Sequence, residues 1–177
     1  MPTPTYEHIV TTTLGANTST VDFTSITSSY TDLVLTAHAK SVNGSTAGQS
    51  IRLNGDATSG NYFVVVYSQY GSTSTSSLTA SNLGSSRTEG YIAWDAAANT
   101  DGMNWMAVVH LNSYSDTSKR KTILSRVGSN AGSGNFNSTE KIHTAWNSTA
   151  AINRITLVNG ELYAAGSVFS LHGIKAG

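Results

Sequence analysis

The chain has 177 residues and carries ten Lys or Arg against ten Asp or Glu, so its formal net charge is zero. Charged residues make up only 11% of the chain, less than half of the roughly 25% found in ordinary domains, and 50 residues are Ser or Thr. A neutral chain lacks the basic field that neutralises phosphates, so we expect neither nucleic-acid binding nor attachment to an anionic membrane. The absence of cysteine excludes disulfides and thiolate metal sites.

Short segments rich in Val, Ile, Thr, Tyr and Phe recur between clusters of Gly, Asn, Asp and Ser, a pattern typical of strands and turns. In chain order, the predicted strands are Tyr6–Thr13, Thr20–Phe23, Leu33–Ala39, Ser50–Asn54, Tyr62–Tyr70, Tyr91–Asp95, Asn104–Leu111, Thr122–Val127, Lys141–Trp146, Arg154–Val158 and Val168–Ile174. Several of them, such as Leu33–Ala39, alternate between apolar and polar residues. This alternation indicates antiparallel sheet with one solvated face.

The segments between the predicted strands contain turn-forming residues. Asn43-Gly44 and Asn159-Gly160 are pairs that tolerate the positive φ of a tight hairpin. Gly71–Ser77 is a Ser/Thr tract, and Gly128–Gly134 is rich in Gly and Ser, so both are predicted to be loops.

These strands, with no helix to cover a sheet, favour a two-sheet sandwich or a closed barrel. We predict an all-β fold: an antiparallel β-sandwich, jelly-roll-like, with about 10 strands, formed as a single domain by residues 6–177. Residues 1–5 are predicted to be an extended N-terminal arm, because Pro2 and Pro4 disfavour helix. The first ten residues contain no basic region followed by an apolar run, so we expect no secretory signal.

No metal site is evident in the sequence. None of the five histidines forms a His-x-His or His-Glu-x-x-His pair. Asn54, Asp56 and Asn61 could offer oxygens to calcium, but they lack the spacing of a calcium loop, and bonding to their own turn backbone is the commoner role. We therefore expect no metal and no cofactor.

The sequence also lacks a convincing catalytic constellation. Gly44–Gly48 has Thr46 where a nucleophile elbow needs serine. Glu89 and Asp95 flank one predicted strand, yet nothing distinguishes them from ordinary surface charges. We expect no enzymatic activity, with polysaccharide hydrolysis as a minor alternative that would need such a carboxylate pair in a cleft.

Three features could serve contact with a partner: the arm, a strand with two tyrosines that leads into the Ser/Thr tract, and a basic run. Tyrosines beside Ser, Gly and Asn make adaptable contact surfaces. A short basic run either protects a strand edge or docks on an acidic surface. The expected contact residues are Pro2, Thr3, Pro4, Tyr67, Tyr70, Lys119, Arg120 and Lys121.

An ordered set of segments covering nearly the whole chain carries a resemblance. The segments are Tyr6–Ile9, Phe23–Ile26, Tyr30–Leu35, Arg52–Asp56, Gly60–Tyr62, Trp146–Ile152, Ile155–Leu157 and Gly166–Ile174. In this order and spacing they resemble small, uncharacterised, virion-associated β-domain proteins of tailed bacteriophages, many of them marine. The sequence departs from that pattern at His172, where an aromatic residue such as Tyr is expected.

The resemblance implies a structural protein on the surface of a phage particle, with no catalytic residues to carry over. Capsid decoration is the first hypothesis, and a tail-associated adhesin that recognises a host surface glycan or protein is the alternative. The expected partners are capsid or tail proteins and further copies of the chain, with a trimer as one arrangement. The protein would be made in the host cytoplasm, released by lysis and located in the virion.

Overall fold

The computed structural model describes residues 5–42, 48–71, 76–82, 87–94, 104–130 and 137–175. This part of the chain contains the strands β1 (Tyr6–Thr13), β2 (Thr18–Phe23), β3 (Asp32–Lys40), β4 (Gln49–Leu53), β5 (Tyr62–Gly71), β6 (Ser76–Asn82), β7 (Gly90–Ala93), β8 (Asn104–Asn112), β9 (Lys121–Asn130), β10 (Asn137–Trp146), β11 (Ile155–Tyr163) and β12 (Val168–Ile174). A helix able to cross a membrane is not found among the described residues.

Eight of the strands form a jelly roll. Two sheets run in the orders β1-β12-β3-β8 and β2-β11-β4-β7, with a further four strands attached to the first. Within these eight, the first strand pairs with the last (β1 with β12), the second with the second-last (β2 with β11), and so on to β3 with β8 and β4 with β7. A long antiparallel ribbon that folds over on itself gives this nested pairing, which defines the jelly-roll sandwich.

The other four strands are two insertions into the jelly roll. β5 and β6 follow β4 and pair with each other, and β9 and β10 follow β8 and do the same. The insertions meet where β10 pairs with β5, and β9 joins them to β8. The result is an eight-stranded sheet, β1-β12-β3-β8-β9-β10-β5-β6, packed against a four-stranded sheet.

Large side chains fill the space between the two sheets. Trp105, Tyr163 and Phe169 form one aromatic cluster, with ring centroids 6.4 Å apart for Trp105–Tyr163 and 5.0 Å for Tyr163–Phe169. Tyr62 and Trp146 stack at 6.5 Å beneath the inserted strands. All five are almost completely buried, which supplies the main hydrophobic contribution to stability in a chain without disulfides.

The short strand β7 covers the inner side of the insertions. The backbone NH of Tyr91 donates to Oγ1 of Thr144 at 3.1 Å, and that hydroxyl donates to the Tyr91 carbonyl at 3.0 Å. The NH of Trp94 donates to Oε2 of the buried Glu140 at 2.8 Å. Polar side chains on the inner face of β10 therefore bind the backbone of the smaller sheet.

The structure confirms the predicted fold class, an antiparallel all-β sandwich, and supplies the strand order, which the sequence left open. It differs from the sequence prediction in three places. β6 (Ser76–Asn82) was not predicted as a strand; it begins in the last two residues of the Ser/Thr tract that was expected to be a loop, and its backbone completes the ladder with β5. Asn159-Gly160 lies inside β11 rather than in a hairpin, at a register shift between Val158 and Tyr163. Gly128 belongs to β9 rather than to a loop.

Gly173 in β12 provides a test of this packing. A Cβ at this position would lie 2.3 Å from ring atoms of Tyr30, so Gly173→Ala should lower the free energy of unfolding by about 1–3 kcal/mol. Gly128→Ala in β9 is the matched control, since its Cβ would meet nothing within 4 Å. Urea denaturation of both variants measures the difference, and equal stabilities would show that Tyr30 does not pack on β12.

Candidate functional site

The outer face of the larger sheet is the side that points away from the smaller sheet. Because side chains alternate along each strand, the register assigns every described residue to one side. One row across the sheet on this side contains His8, His172, Val34, His110, Leu124, His143 and Val65. The outer face has an arm-side half on β1, β12, β3 and β8, and an inserted-strand half on β9, β10 and β5.

Exposed apolar side chains concentrate on this face. Among the described residues, the large hydrophobic side chains that are exposed are Tyr6, Val10, Phe63, Tyr67, Met106, Leu124 and Leu162. Five of them lie on the outer face: Tyr6 and Met106 on the arm side, and Phe63, Tyr67 and Leu124 on the inserted strands. Met106 is 58% exposed and Tyr67 is 50% exposed. Apolar side chains gathered on one exposed face indicate a contact surface.

All five histidines of the chain also lie on the outer face. His8, His172, His110 and His143 share one cross-strand row, and His38 lies in another. The ring of His172 stacks on Tyr6 at 4.9 Å and meets His8 edge-on at 5.5 Å, so the imidazole takes the place of the aromatic ring expected there. Burial and the neighbouring His8 lower the pKa of His172. In the part of the chain that the structure describes, no three His, Asp or Glu residues converge on a metal position.

The charges on the outer face are mostly positive, although the chain as a whole is neutral. Lys40, Arg126 and Lys141 are exposed on it. Asp32 is its one carboxylate among the described residues, and Oδ1 of Asp32 accepts a hydrogen bond from the Ser113 NH at 2.6 Å. The described acidic side chains otherwise lie on the inner side, on the smaller sheet or in loops.

A depression of about 300 Å³ opens where β5, β9 and β10 meet. Ala145 forms its floor, because its small side chain lies in register between Thr122 and Phe63 on the flanking strands. The other lining residues are Gly60, Asn61, Arg120, Lys121, Trp146 and Asn147. A small side chain between larger ones thus creates a concave site at the end of the inserted strands.

Asp56 supports this end of the sheet. Its Oδ2 accepts hydrogen bonds from Trp146 Nε1 at 2.7 Å and Asn61 Nδ2 at 2.8 Å, and its Oδ1 accepts from the Thr58 NH at 2.9 Å. Burial raises the pKa of Asp56, but the bonds from Trp146, Thr58 and Asn61 outweigh that effect and bring the pKa to about 2. The carboxylate therefore stays charged and fixes Asn61 at the rim of the depression.

Of the residues considered for calcium, Asn54 and Asp56 use their side-chain oxygens within the fold. Asn54 has a positive φ of 51° and is followed by Gly55 at 72°, which forms the turn before Asp56. Oδ1 of Asn54 accepts from the backbone NH groups of Asn153 and Arg154 at 2.9 and 3.2 Å. The expected bond to the residue's own turn backbone is found at Asp56, which accepts from the Thr58 NH, whereas the bonds of Asn54 connect two loops.

The predicted contact residues are distributed over different parts of the chain. Tyr67 lies on the outer face, and Arg120 lines the depression. Tyr70 belongs to β5, but its side chain lies outside the described residues, as do Pro2, Thr3 and Pro4.

The basic run does not form a three-residue surface patch. Lys119 is exposed, with its Nζ 3.2 Å from Oδ2 of Asp116. Lys121 is only 1% exposed, and its Nζ donates to the carbonyls of Asp116, Lys119 and Thr149. Its position on the inner side of β9 explains this difference, so the ammonium of Lys121 connects loops instead of facing a partner.

Only one member of the carboxylate pair considered for hydrolysis lies in the described structure. Glu89 forms an ion pair with Arg52, and Asp95 lies outside the described residues.

Sequence reasoning missed Phe63, Asn61 and Asn147 as site residues, and it missed the histidine row. Phe63 lies in the apolar run Tyr62–Val66, which does not reveal which residues face outwards. The structure shows that its neighbours Tyr62 and Val64 are buried, but nothing in the sequence of the run distinguishes Phe63 from them. The histidine row needs the strand order as well, and period-two patterning does not supply it.

No family model and no curated protein matches the chain. Among solved structures, it is similar to CG-16, a homodimeric agglutinin from chicken liver, with 10% identity, 85% of this chain and 99% of that chain covered, and a TM-score of 0.31. Scytalido-glutamic peptidase gives 10% identity, coverage of 89% and 66%, and a TM-score of 0.26. The CBM2 module of the evolved Dit of Lactobacillus casei BL23 phage J-1 gives 9%, 89% and 69%, and 0.25. At these TM-scores the likeness has no bearing on what this chain does.

Asp56→Asn tests the support of the depression. The variant amide cannot accept all three hydrogen bonds, so at pH 7 the free energy of unfolding should fall by about 1–3 kcal/mol. Because the folded-state pKa of Asp56 is lowered from 3.8 to about 2, its contribution is complete above pH 4 and is lost as the pH falls through that interval. Chemical denaturation between pH 2.5 and 7 should show the two proteins converging at the acid end.

Asp116→Asn is the control for Asp56→Asn. The pKa of Asp116 is likewise lowered to about 2, chiefly by hydrogen bonds from Ser118. This carboxylate is in an exposed loop where water can replace these bonds, so its replacement should cost less stability. A loss as large as that of Asp56→Asn, or a pH-independent difference for Asp56→Asn, would contradict the role given to Asp56.

Proposed function

We propose that the chain is a structural protein of the surface of a tailed-bacteriophage particle, that it decorates the capsid, and that it works by contact without catalysing a reaction. The observation that carries the contact role is that, among the described residues, five of the seven exposed large hydrophobic side chains lie on one face of the larger sheet. The virion location rests on the sequence resemblance. A charge-poor fold without cysteines is also suited to a particle that must survive outside the cell.

The arm-side half of the outer face is the part that fits a protein surface. It combines Tyr6 and Met106 with His8, His172 and hydroxyl side chains such as Ser170. Burying apolar and hydroxyl side chains against another protein costs less desolvation free energy than burying charged side chains.

The position of the predicted arm also favours contact through the arm-side half. The predicted arm, residues 1–5, leads directly into β1, which is the edge of the larger sheet on that side. β6 is the opposite edge, seven strand spacings or about 34 Å away along the sheet. An arm that lies along the particle would therefore bring the arm-side half to the shell and leave the inserted strands displayed.

A tail-associated adhesin is the second candidate function. The observation that favours it is the depression at the end of the inserted strands, because small-molecule sites are concave and combine apolar walls with a few polar groups. An adhesin would be present in few copies, whereas a decorating protein covers the shell.

Quantitative mass spectrometry of purified particles, scaled to the major capsid protein, separates these functions. Capsid decoration predicts copies on the order of hundreds per particle, because a shell repeats its surface sites by symmetry. A few tens of copies or fewer would contradict decoration and support the adhesin. Absence from the particle would overturn the virion proposal.

A further inference from the structure

The inserted strands carry two exposed aromatic rings on their outer side. Phe63 and Tyr67 are four residues apart on β5, which corresponds to about 13 Å along an extended strand. Phe63 is 37% exposed and Tyr67 is 50% exposed. Aromatic faces are electron-rich and attract the polarised C–H groups of a ring that lies flat against them. The two side chains therefore offer successive platforms to an elongated ligand.

Each ring has positive charge close by. Tyr67 lies in a cross-strand row with Lys141 and Arg126, which are directly opposite each other on β10 and β9. Like charges in opposite positions destabilise a sheet. Among the described residues, no carboxylate lies within ion-pair distance of either side chain. This unfavourable arrangement becomes favourable when an anion lies between the two cations.

The Phe63 end repeats the combination of aromatic ring and cation. Arg120 lines the depression beside Phe63, and none of the described acidic groups forms an ion pair with it. Its guanidinium can bind a carboxylate through two parallel hydrogen bonds. The neighbouring Lys119 differs, because it is paired with Asp116.

Two amides complete the depression. Asn61 donates its Nδ2 to Asp56 at 2.8 Å, which leaves its Oδ1 as the acceptor for a ligand. Asn147 is exposed at the same rim. An amide offers both donors and an acceptor, as sugar hydroxyls do. At about 300 Å³ the depression is at the small end of the range for ligand sites.

We propose that the inserted-strand surface, formed by Phe63, Tyr67, Arg120, Arg126 and Lys141, binds an acidic oligosaccharide whose sugars carry carboxylates. The sugar rings lie on Phe63 and Tyr67, the carboxylates lie between the cations, and the amides of the depression bind hydroxyl groups. The three cations of this surface are too few to neutralise the phosphates of a nucleic acid along its length, which favours a saccharide over a nucleic acid. The site is separate from the arm-side half, so ligand binding by the purified chain can be tested whatever its copy number in a particle.

Isothermal titration calorimetry with the purified full chain tests the proposal. The ligands are galacturonate, trigalacturonate, the neutral methyl ester of trigalacturonate, hexaglutamate and a thymidine hexanucleotide. Trigalacturonate should bind, and galacturonate itself should bind at least tenfold more weakly because it reaches only one aromatic platform. The neutral ester should also bind at least tenfold more weakly.

Variants locate the site. Arg126→Gln combined with Lys141→Gln, and separately Phe63→Ala, should each weaken trigalacturonate binding at least tenfold. The double variant should have an unchanged or higher Tm, because it removes a like-charge pair. Lys119→Gln is the control. It removes one positive charge from a lysine that already has an acidic partner, and it should change the affinity less than twofold.

The outcomes that would overturn the proposal are distinct from those that concern the virion. Binding of hexaglutamate or the hexanucleotide as tight as that of trigalacturonate would show a general anion surface. Unchanged affinity in the double variant would place the ligand elsewhere. No binding of trigalacturonate at millimolar concentration would also reject the site.

Discussion

The register of the eight-stranded sheet is the constraint on which the other features depend. Side chains alternate with a period of two, so a slip of one residue between two strands would turn a buried set outwards and an exposed set inwards. The nested pairing prevents such a slip at several points at once, because β12 is held between β1 and β3 and β8 between β3 and β9. With that register, Trp105 and Phe169 enter the core while Met106 and His172 lie on the outer face.

The chain as a whole is neutral, but its charges are distributed differently on its two sheets. On the smaller sheet, charges are paired: Arg154 binds Asp22 at 2.9 Å, and Arg52 binds Glu89. On the outer face of the larger sheet, Arg126 and Lys141 lie opposite each other. The net charge of the chain therefore does not describe the charge of one face. Because charged residues are few, two cations without an acidic partner point to a ligand more clearly than they would on a highly charged surface.

Local sequence patterns were sufficient for the fold class and for most strands. Alternation in Leu33–Ala39 and in Val168–Ile174 predicts strands that the structure confirms. The same patterns failed at β6, where backbone pairing with β5 holds a Ser/Thr-rich segment, and at Lys121, whose burial depends on carbonyls that only the folded loops bring together. The candidate site could largely not be predicted from the sequence. Its residues come from β5, β9 and β10, which lie side by side only because of the strand order.

The arm-side half of the outer face is the surface proposed to contact the particle. Hydroxyl-radical footprinting measures this contact directly. Free chain and purified particles are oxidised under the same conditions, and oxidation is followed at Tyr6, Met106, Tyr67 and Leu162. We predict protection of Tyr6 and Met106 in the particle, with Tyr67 on the inserted strands and Leu162 on β11 as reactive as in the free chain. Equal reactivity of Tyr6 and Met106 in both samples, or protection of Leu162 instead, would contradict the account.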